Sequence, residues 1–328
     1  MKKTSTREGE NVRPAAAGSA CAVSVIIVSW NVRDLLLSCI DSVCKMTAGG
    51  DYEIIVVDNA SSDGTAEAVK TRFPAVRLIE SRENLGFARG CNLGAEKAGG
   101  RYFFFLNPDT ELKKGALDNL LSFLESGREV AVAGAKLLWP DGSYQDSYRR
   151  FFGVLFSILE VFEFHYYFPK NGVYLHSLYD LEVFREPAEV DWVVGAAFAV
   201  RRESFEKAGG FDEKIFMYAE DADLCRRIAG AGGKIYFLPQ AEVIHYKGKS
   251  SGLSNVRSVD YYKSLYYYHL KHSGSLKALL FRAALSFWSA FYVLAILLKL
   301  LFRRDAENGG VKISNKLTLL KWSLFKWI

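Results

Sequence analysis

The chain has 328 residues, with 42 basic and 37 acidic side chains and a net charge of +5. Half of it is apolar and 14% aromatic, which allows a sizeable core and excludes a wholly disordered polypeptide. So mild a charge gives no reason to expect nucleic acid, and five scattered cysteines without a CxxC pair exclude a disulfide scaffold or a zinc ribbon, so free thiols in a reducing compartment are expected.

Residues 1–21 are polar, charged and small. No apolar stretch of signal-peptide length follows Lys2-Lys3, so a disordered N-terminal tail is expected. Val23–Val28 reads as a buried strand, closed by Ser29-Trp30-Asn31. Arg33–Cys44 places Leu35, Leu36, Cys39, Ile40 and Val43 at helical spacing. Glu53–Val57 is a second strand, ending in Asp58-Asn59-Ala60-Ser61-Ser62-Asp63-Gly64. A short helix over 65–72 and a strand over 76–79 follow, and Asn84–Gly90 opens a helix running to Lys97. Tyr102–Leu106 is an aromatic strand that stops at Asn107-Pro108-Asp109, because proline cannot donate to a ladder. A helix over 115–126 and a strand over 130–135 complete this half. Strands alternating with helices predict βαβ units, hence an α/β fold with a mostly parallel sheet and right-handed crossovers.

The strand ends carry the polar groups. Ligands of open α/β sheets bind outside the carboxyl ends of the strands. A carboxylate there, Asp109, suits a hard cation and through it a phosphate; the plainer alternative is a turn or a helix cap. Asp58, directly after Val56-Val57, can accept a hydrogen bond from a base imide or a ribose hydroxyl, or equally cap a turn rich in Asn, Ser and Gly. The Asn84–Arg89 loop offers backbone N–H groups and one guanidinium at a helix start, which favours anions. The sequence holds neither GxGxxG nor GxxxxGK[ST].

In the second half, Trp139-Pro140-Asp141-Gly142 is a turn and Phe151–Phe168 is strongly aromatic with little charge. It reads as core, as the lining of an acceptor groove, or as a surface resting on lipid. Asp191–Val200 reads as one apolar strand leading to a short helix that ends at Gly209-Gly210. A helix is predicted over 219–229, and its first turn holds Glu220, Asp221 and Asp223. Helix-dipole complementation accounts for acids at this position, at about 0.3–1 kcal/mol each, but does not require three. A rigidly held carboxylate there can also take a proton from a hydroxyl nucleophile. Lys234–Leu238 and Val243–Tyr246 read as two short strands. His245, in an apolar run, is read first as a satisfied core histidine and second as a ligand.

The C-terminal quarter changes character. Tyr261–His269 is an aromatic and basic run of the kind found at lipid headgroup depth. Ala283–Leu298 carries no charge over 16 residues, about 24 Å of helix; letting Lys299 snorkel extends it to Phe302, just enough to span a bilayer. Membrane association is expected here. A spanning helix, an interfacial one and a dimer-forming one all remain open.

Taken together, VSVIIVSWN, DNASSDGT, ENLGFARGCNLG, FFLNPDT, GAAFAVRRESFEKAGGFDE and FMYAEDADLCRRIAGAG resemble a family 2 glycosyltransferase of the GT-A fold, over about residues 23–250. The closest likeness is to the bacterial rhamnosyltransferase-like branch, which builds cell-surface polysaccharide on lipid carriers. The resemblance implies a GT-A domain over 22–255, with a nucleotide-binding half (22–136) and an acceptor-binding half (137–255), followed by a membrane-associated helical region (256–328). It implies a donor site of Ser29, Asn31, Asp58, Asn84, Gly86, Arg89 and Asn107, with Asp58 on the uracil or thymine base. It places Trp192 and Gly195 on the acceptor side. Asn107-Pro108-Asp109 stands where the family carries Asp-x-Asp, with Asn in place of the first acid, so Mg²⁺ or Mn²⁺ is assigned to Asp109, and His245 falls where some members place a further metal or diphosphate contact. Glu220-Asp221 matches the family's Glu-Asp pair, whose Asp is the general base.

The implied reaction is inverting transfer of a sugar, with rhamnose as the leading candidate, from a dTDP or UDP donor to a lipid-linked glycan. It is expected at the cytoplasmic face of the inner membrane, by a peripheral or single-pass protein, with a homo-oligomer left open. The alternatives are a sugar nucleotidyltransferase and a non-catalytic, membrane-bound scaffold.

Overall fold

Apolar runs too short for a buried helix become strands. β1 (Val23–Ser29) and β2 (Tyr52–Asp58) are buried at every position, β3 (Arg77–Glu80) is the half-exposed edge, and β4 (Tyr102–Leu106) is buried throughout, as a parallel sheet covered on both faces requires. A computed structural model describes residues 21–47, 51–162, 185–246, 259–302 and 317–324. The expected N-terminal tail apart from Cys21, residues 163–168 of the aromatic stretch, and the loop after Tyr246 lie outside the described residues.

The chain divides into two compact units. One comprises residues up to Arg149 together with Val183–Glu213 and Asp221–Gly252; the other comprises Arg150–Glu182, Lys214–Glu220 and Leu253–Ile328. The second unit thus takes in segments ahead of the boundary expected at 255.

The first unit is built on one sheet. Its further strands are β5 (Thr110–Leu112), β6 (Val130–Leu138), β7 (Tyr144–Gln145), β9 (Ala188–Glu189), β11 (Ala197–Arg201) and β12 (Lys234–His245); β8 (Tyr148–Arg149) and β10 (Trp192–Val193) form a separate antiparallel pair. The order is β3-β2-β1-β4-β11-β6-β12-β5, with β7 on β6 and β9 on β12. The first four strands are mutually parallel. β11 enters antiparallel to both β4 and β6, and β12 runs parallel to β6.

Helices α1 (Arg33–Met46), α2 (Thr65–Arg72), α3 (Gly86–Glu96) and α4 (Ala116–Glu125) follow the alternation read from the sequence. α3 lies unusually close to the sheet. A Cβ on Gly90 would come within 2.8 Å of Val28, and one on Gly94 within 2.6 Å of Ile26. The glycines of ENLGFARGCNLG are therefore the contact face that sets α3, and the loop ahead of it, against β1. The core between sheet and helices gathers Val25, Ile27, Leu36, Ile40, Ile54, Phe104, Leu120 and Ala199 among others.

Three expectations are corrected. Asp191–Val200 is not one strand: it breaks at Val194–Ala196. Lys234–Leu238 and Val243–Tyr246 are one strand, β12, carried across Pro239 by a bulge between Leu238 and Glu242. The short strand β5, directly after Asp109, was not anticipated.

In the second unit, α5 (Val154–Val161) and α8 (Val259–Ser273) accompany α9 (Ser275–Phe302) and a short helix over 317–324. The remaining helices are α6 (Arg202–Lys207) and α7 (Glu220–Gly230), the latter beginning at the boundary between the units.

Candidate active site

The carboxyl ends of β1 and β2 stand side by side, with Ser29 paired to Asp58 in register. Ser29, Asp58 and Asn59 are all buried. Asp58 Oδ2 accepts from the Ser61 amide at 3.2 Å, and Asn59 Nδ2 donates to the Gly86 carbonyl at 3.0 Å. That carbonyl can only accept, which fixes the Asn59 amide and leaves its Oδ1 as an acceptor. Ser29 Oγ, Asp58 Oδ1 and Asn59 Oδ1 then have no hydrogen-bond partner among the described residues. Leaving a buried polar atom unpaired costs about 1–3 kcal/mol, so three at two adjoining strand ends suit a ligand that brings hydrogen-bond donors.

Neighbouring groups brace this end. Asn31 adopts a left-handed backbone (φ 53°). Its amide donates to Ser61 Oγ, and its Oδ1 accepts from the Ser62 amide at 2.7 Å. It thereby pins the loop after β2 to the end of β1. Asn84 Oδ1 accepts from the Gly86 amide at 3.0 Å, and Gly86 turns at φ 78° into α3. Arg89 is held at 4.0 Å from Glu83 and 3.8 Å from Glu213, so its charge already faces two carboxylates.

Asp109 and His245, 136 positions apart, are brought together by strand pairing. β5 runs antiparallel to β12 with Thr110 opposite His245, and the Tyr246 amide donates to the Asp109 carbonyl at 2.9 Å. Asp109 Oδ1 lies 3.5 Å from His245 Nε2, and both side chains are buried. Gln145 decides what His245 presents. Its Nε2 donates to the His245 carbonyl at 3.2 Å, so its Oε1 faces His245 Nδ1 at 2.6 Å, and Nδ1 must carry the proton. With Nδ1 so engaged, Nε2 is the ring nitrogen that faces the Asp109 carboxylate.

Two donor atoms that each sit about 2.1 Å from one ion, separated by about 90–110° at it, stand about 3.0–3.4 Å apart. The Asp109–His245 spacing is close to this, and an acceptor on the outer imidazole nitrogen is the usual support of a ligating histidine. The residues present therefore fit a divalent cation. Among the described residues no group of three or more His, Cys, Asp or Glu gathers as a metal cluster, and Asp109 with His245 is a pair.

The broken strand carries Asp221 to the same edge. Because β11 is antiparallel to β4, Ala197 lies opposite Leu106, and the Asn107 amide donates to the Ala196 carbonyl at 2.8 Å. The next amide back, that of Gly195, donates to Asp221 Oδ2 at 2.8 Å, and the Ala222 amide donates to Oδ1 at 2.8 Å. A Cβ at Gly195 would stand 3.2 Å from Oδ2, so the residue is small because the carboxylate sits against it. Burial pushes the Asp221 carboxyl above the usual carboxylate range, opposed by the Gly195 and Ala222 amides and the Arg149 guanidinium. Just ahead of this helix Tyr218 (φ 73°) and Ala219 (φ 64°) are both left-handed, a conformation that costs side-chain-bearing residues about 1–3 kcal/mol each and concentrates at functional sites. Glu220 is buried. Asp223 is engaged elsewhere, in an ion pair with Arg227 at 2.8 Å that ties α7 to itself.

Of the residues expected on the acceptor side, Gly195 acts through its amide on Asp221, and Trp192 is buried at 5% exposure in the β8–β10 pair. Gln145 and Arg149 were not anticipated. Asn59 stood out in the sequence as a polar group at the end of the second strand, beside Asp58, but was not assigned to the donor site. Gln145 and Arg149 had no local signal.

Unpartnered acceptors at two adjoining strand ends, a buried Asp109–His245 pair and a carboxylate held by two backbone amides sit on one α/β sheet, an arrangement that suits a nucleotide-sugar transferase. The family model for glycosyl transferase family 2 matches residues 24–209, and one described as the N-terminal domain of galactosyltransferase matches 175–249. The chain belongs to glycosyltransferase family 2. It lies in the rhamnosyltransferase branch. It is 34% identical over 245 residues to the N-acetylglucosaminyl-diphospho-decaprenol L-rhamnosyltransferase of Mycobacterium tuberculosis, covering 69% of this chain and 77% of the relative. It is 30% identical over 232 residues to rhamnosyltransferase WbbL of Escherichia coli K12, covering 68% and 83%. Among solved structures, GalNAc-T7 with UDP, GalNAc and Mn²⁺ matches at a TM-score of 0.56 and 18% identity, over 76% of this chain and 47% of that one, a likeness of fold.

Proposed function

We propose that this enzyme transfers a sugar, rhamnose in the leading case, from a dTDP or UDP donor to a hydroxyl of a polyprenyl diphosphate-linked glycan, with inversion at the anomeric carbon. The observation that carries this reading is Asp221: a carboxylate gripped by two backbone amides, raised in pKa by burial, and tied through Gly195, Ala196 and Asn107 to the edge that bears Asp109.

Asp221 takes the proton of the acceptor hydroxyl. The oxygen attacks the anomeric carbon from the face opposite the nucleotide, the bond to the diphosphate breaks, and its electron pair leaves with the nucleoside diphosphate. A pKa raised by burial makes Asp221, once ionised, a stronger proton acceptor than an ordinary carboxylate. Asp58 and Asn59 receive donor hydrogens of the base and ribose, and Ser29 lies beside them. Asp109 and His245, oriented by Gln145, would hold Mg²⁺ or Mn²⁺. Bound there, the ion supplies Lewis-acid neutralisation of the diphosphate leaving group.

The name of the Mycobacterium relative, which carries a decaprenol-linked substrate, supports a lipid-linked acceptor for this chain. A lipid-linked acceptor supports a location at the cytoplasmic face of the inner membrane, with residues 256–328 proposed as the membrane-associated region.

The test is transfer to a short-chain polyprenyl diphosphate sugar, with analysis of both products. Release of a nucleoside diphosphate and a product of inverted anomeric configuration is expected; release of pyrophosphate would identify a nucleotidyltransferase instead. Chelation should abolish transfer and Mn²⁺ restore it. Transfer that survives chelation, with Asp109→Ala active, would remove the cation from the scheme.

A further inference from the structure

The second unit exposes apolar side chains in a pattern. Leu276, Leu279, Leu280, Phe287, Phe291, Leu294 and Leu298 of α9 are each 46–70% exposed. At 3.6 residues per turn they fall within an arc of about 120°, in a stripe about 33 Å long. The opposite face is formed by Ala278, Phe281, Arg282, Leu285 and Ser289, all buried. Arg282 Nε donates to the Ser323 carbonyl at 2.6 Å, and its guanidinium lies over the Tyr266 and Trp322 rings. What changes across α9 is burial: one face is packed against protein and carries the buried charge of Arg282, and the other is bare. A helix that crosses alone would show an apolar surface on every side.

Length and composition alone would let Ser275–Ala295 cross a membrane, at a mean hydropathy of 1.6. Spanning would draw the partners of the buried face into hydrocarbon with it. Those partners include α8, which carries Asp260, Lys263 and Lys271, and a charge at the bilayer centre costs at least about 2.5–3.5 kcal/mol.

Charge identifies what covers the stripe. Residues 259–328 hold 11 basic and 3 acidic side chains, a net +8 against +5 for the whole chain, which leaves residues 1–258 at −3. The basic excess of the protein is confined to the segment that bears the apolar stripe. A second copy of this chain would bring +8 against +8. An anionic lipid surface gains about 1 kcal/mol for each basic group near it.

We propose that α9 lies in the plane of an anionic leaflet, with the Leu276–Leu298 stripe sunk to the headgroup–acyl boundary. This deepens the membrane location given above and does not depend on the transfer chemistry.

The test uses the full-length protein and vesicles of phosphatidylcholine with or without a third of phosphatidylglycerol. Cosedimentation should require the anionic lipid and weaken at least tenfold in the triple variant Leu280→Asp, Phe287→Asp, Leu294→Asp. That variant is checked by circular dichroism and by transfer to a water-soluble acceptor, both unchanged. If that activity is absent in the parent and the variant alike, it is the transfer reading that fails, and the binding result still decides the docking.

Environment-sensitive labels at Leu276→Cys and Leu298→Cys then give geometry. Equal, shallow quenching by depth-marked lipids is expected. Labels at opposite surfaces with a deep centre would mean that α9 spans. Concentration-dependent dimers without vesicle binding would mean that the stripe is a protein interface. Either result overturns the proposal. A triple variant that no longer folds is replaced by Leu276→Asp with Leu298→Asp at the two ends, judged by the same criterion.

Discussion

The two ends of the site treat their carboxylates in opposite ways. At the end of β2, Asp58 spends one oxygen on a turn and leaves the other, with Ser29 Oγ and Asn59 Oδ1, without a partner among the described residues. At the start of α7, both oxygens of Asp221 are taken by backbone amides. Open acceptors suit a ligand that supplies the missing hydrogens and gains affinity by doing so. A gripped carboxylate suits proton transfer, where direction matters more than added binding. One end should therefore govern donor affinity and the other turnover.

The largest effect should come from Asp221→Asn, which keeps the shape and loses the base. The rate constant kcat should fall about 10²–10⁴-fold, with donor affinity unchanged by calorimetry; a matching loss of donor affinity would collapse the contrast. Asp58→Ala should do the converse, weakening donor binding about 10–100-fold, as expected for hydrogen bonds to a charged acceptor, with a much smaller change in kcat at saturation.

Gln145→Leu sharpens the contrast in a place that touches neither donor nor acceptor. Losing the acceptor on His245 Nδ1 should weaken Mn²⁺ binding about 10–100-fold. Nitrogen chemical shifts of His245 should show the proton no longer confined to Nδ1. Gln145→Glu, which retains an acceptor, should restore much of the affinity; a purely structural role would leave the tautomer unmoved.

The pH profile is a finer probe. Burial raises the carboxyl of Asp221, so turnover should rise with pH along a limb above the ordinary carboxylate range, and the residual activity of Asp221→Asn should lack that limb. The same shift has a stability sign. A carboxyl whose folded pKa is raised disfavours the folded state once it is ionised, so the penalty is absent below the unfolded pKa and complete above the folded one. Asp221→Asn relieves that penalty but turns one of the two accepting oxygens into a donor facing a backbone amide, so its Tm relative to the parent should be highest at pH 8 and fall at low pH. The smallest expected effect is that of Gly195→Ala. Its Cβ would press on Asp221 from 3.2 Å, and kcat should drop about 3–10-fold through misplacement of the base.

Much of this site could be read from the chain because its parts are local. The strand-end loops, the glycines that seat α3 and the acids opening α7 each announce themselves within a few residues. What escaped was set by pairing between distant segments. Gln145 lies in a two-residue strand after a turn, with no periodicity to mark it, and reaches His245 only because β6 pairs with both β7 and β12. The break at Val194–Ala196 was hidden for the opposite reason: the run DWVVGAAFAV is apolar throughout, and nothing local shows that Gly195 points its amide at a carboxylate 26 positions later. The charge carried by the last 70 residues was visible in the composition, but its meaning needed the two faces of α9.

The cysteines give one more consequence. All five are free thiols. Cys39 is fully buried, with Sγ 3.5 Å from the Asn107 carbonyl and 3.6 Å from Thr110 Oγ1, and burial pushes it up to about 12. Such a thiol is alkylated only when the structure around it opens, so its labelling rate in native buffer is a clock for local opening beneath the Asn107–Asp109 turn. The protein thus carries its own reporter of how firmly that turn is held, and donor and cation together should slow the clock without any probe being engineered in.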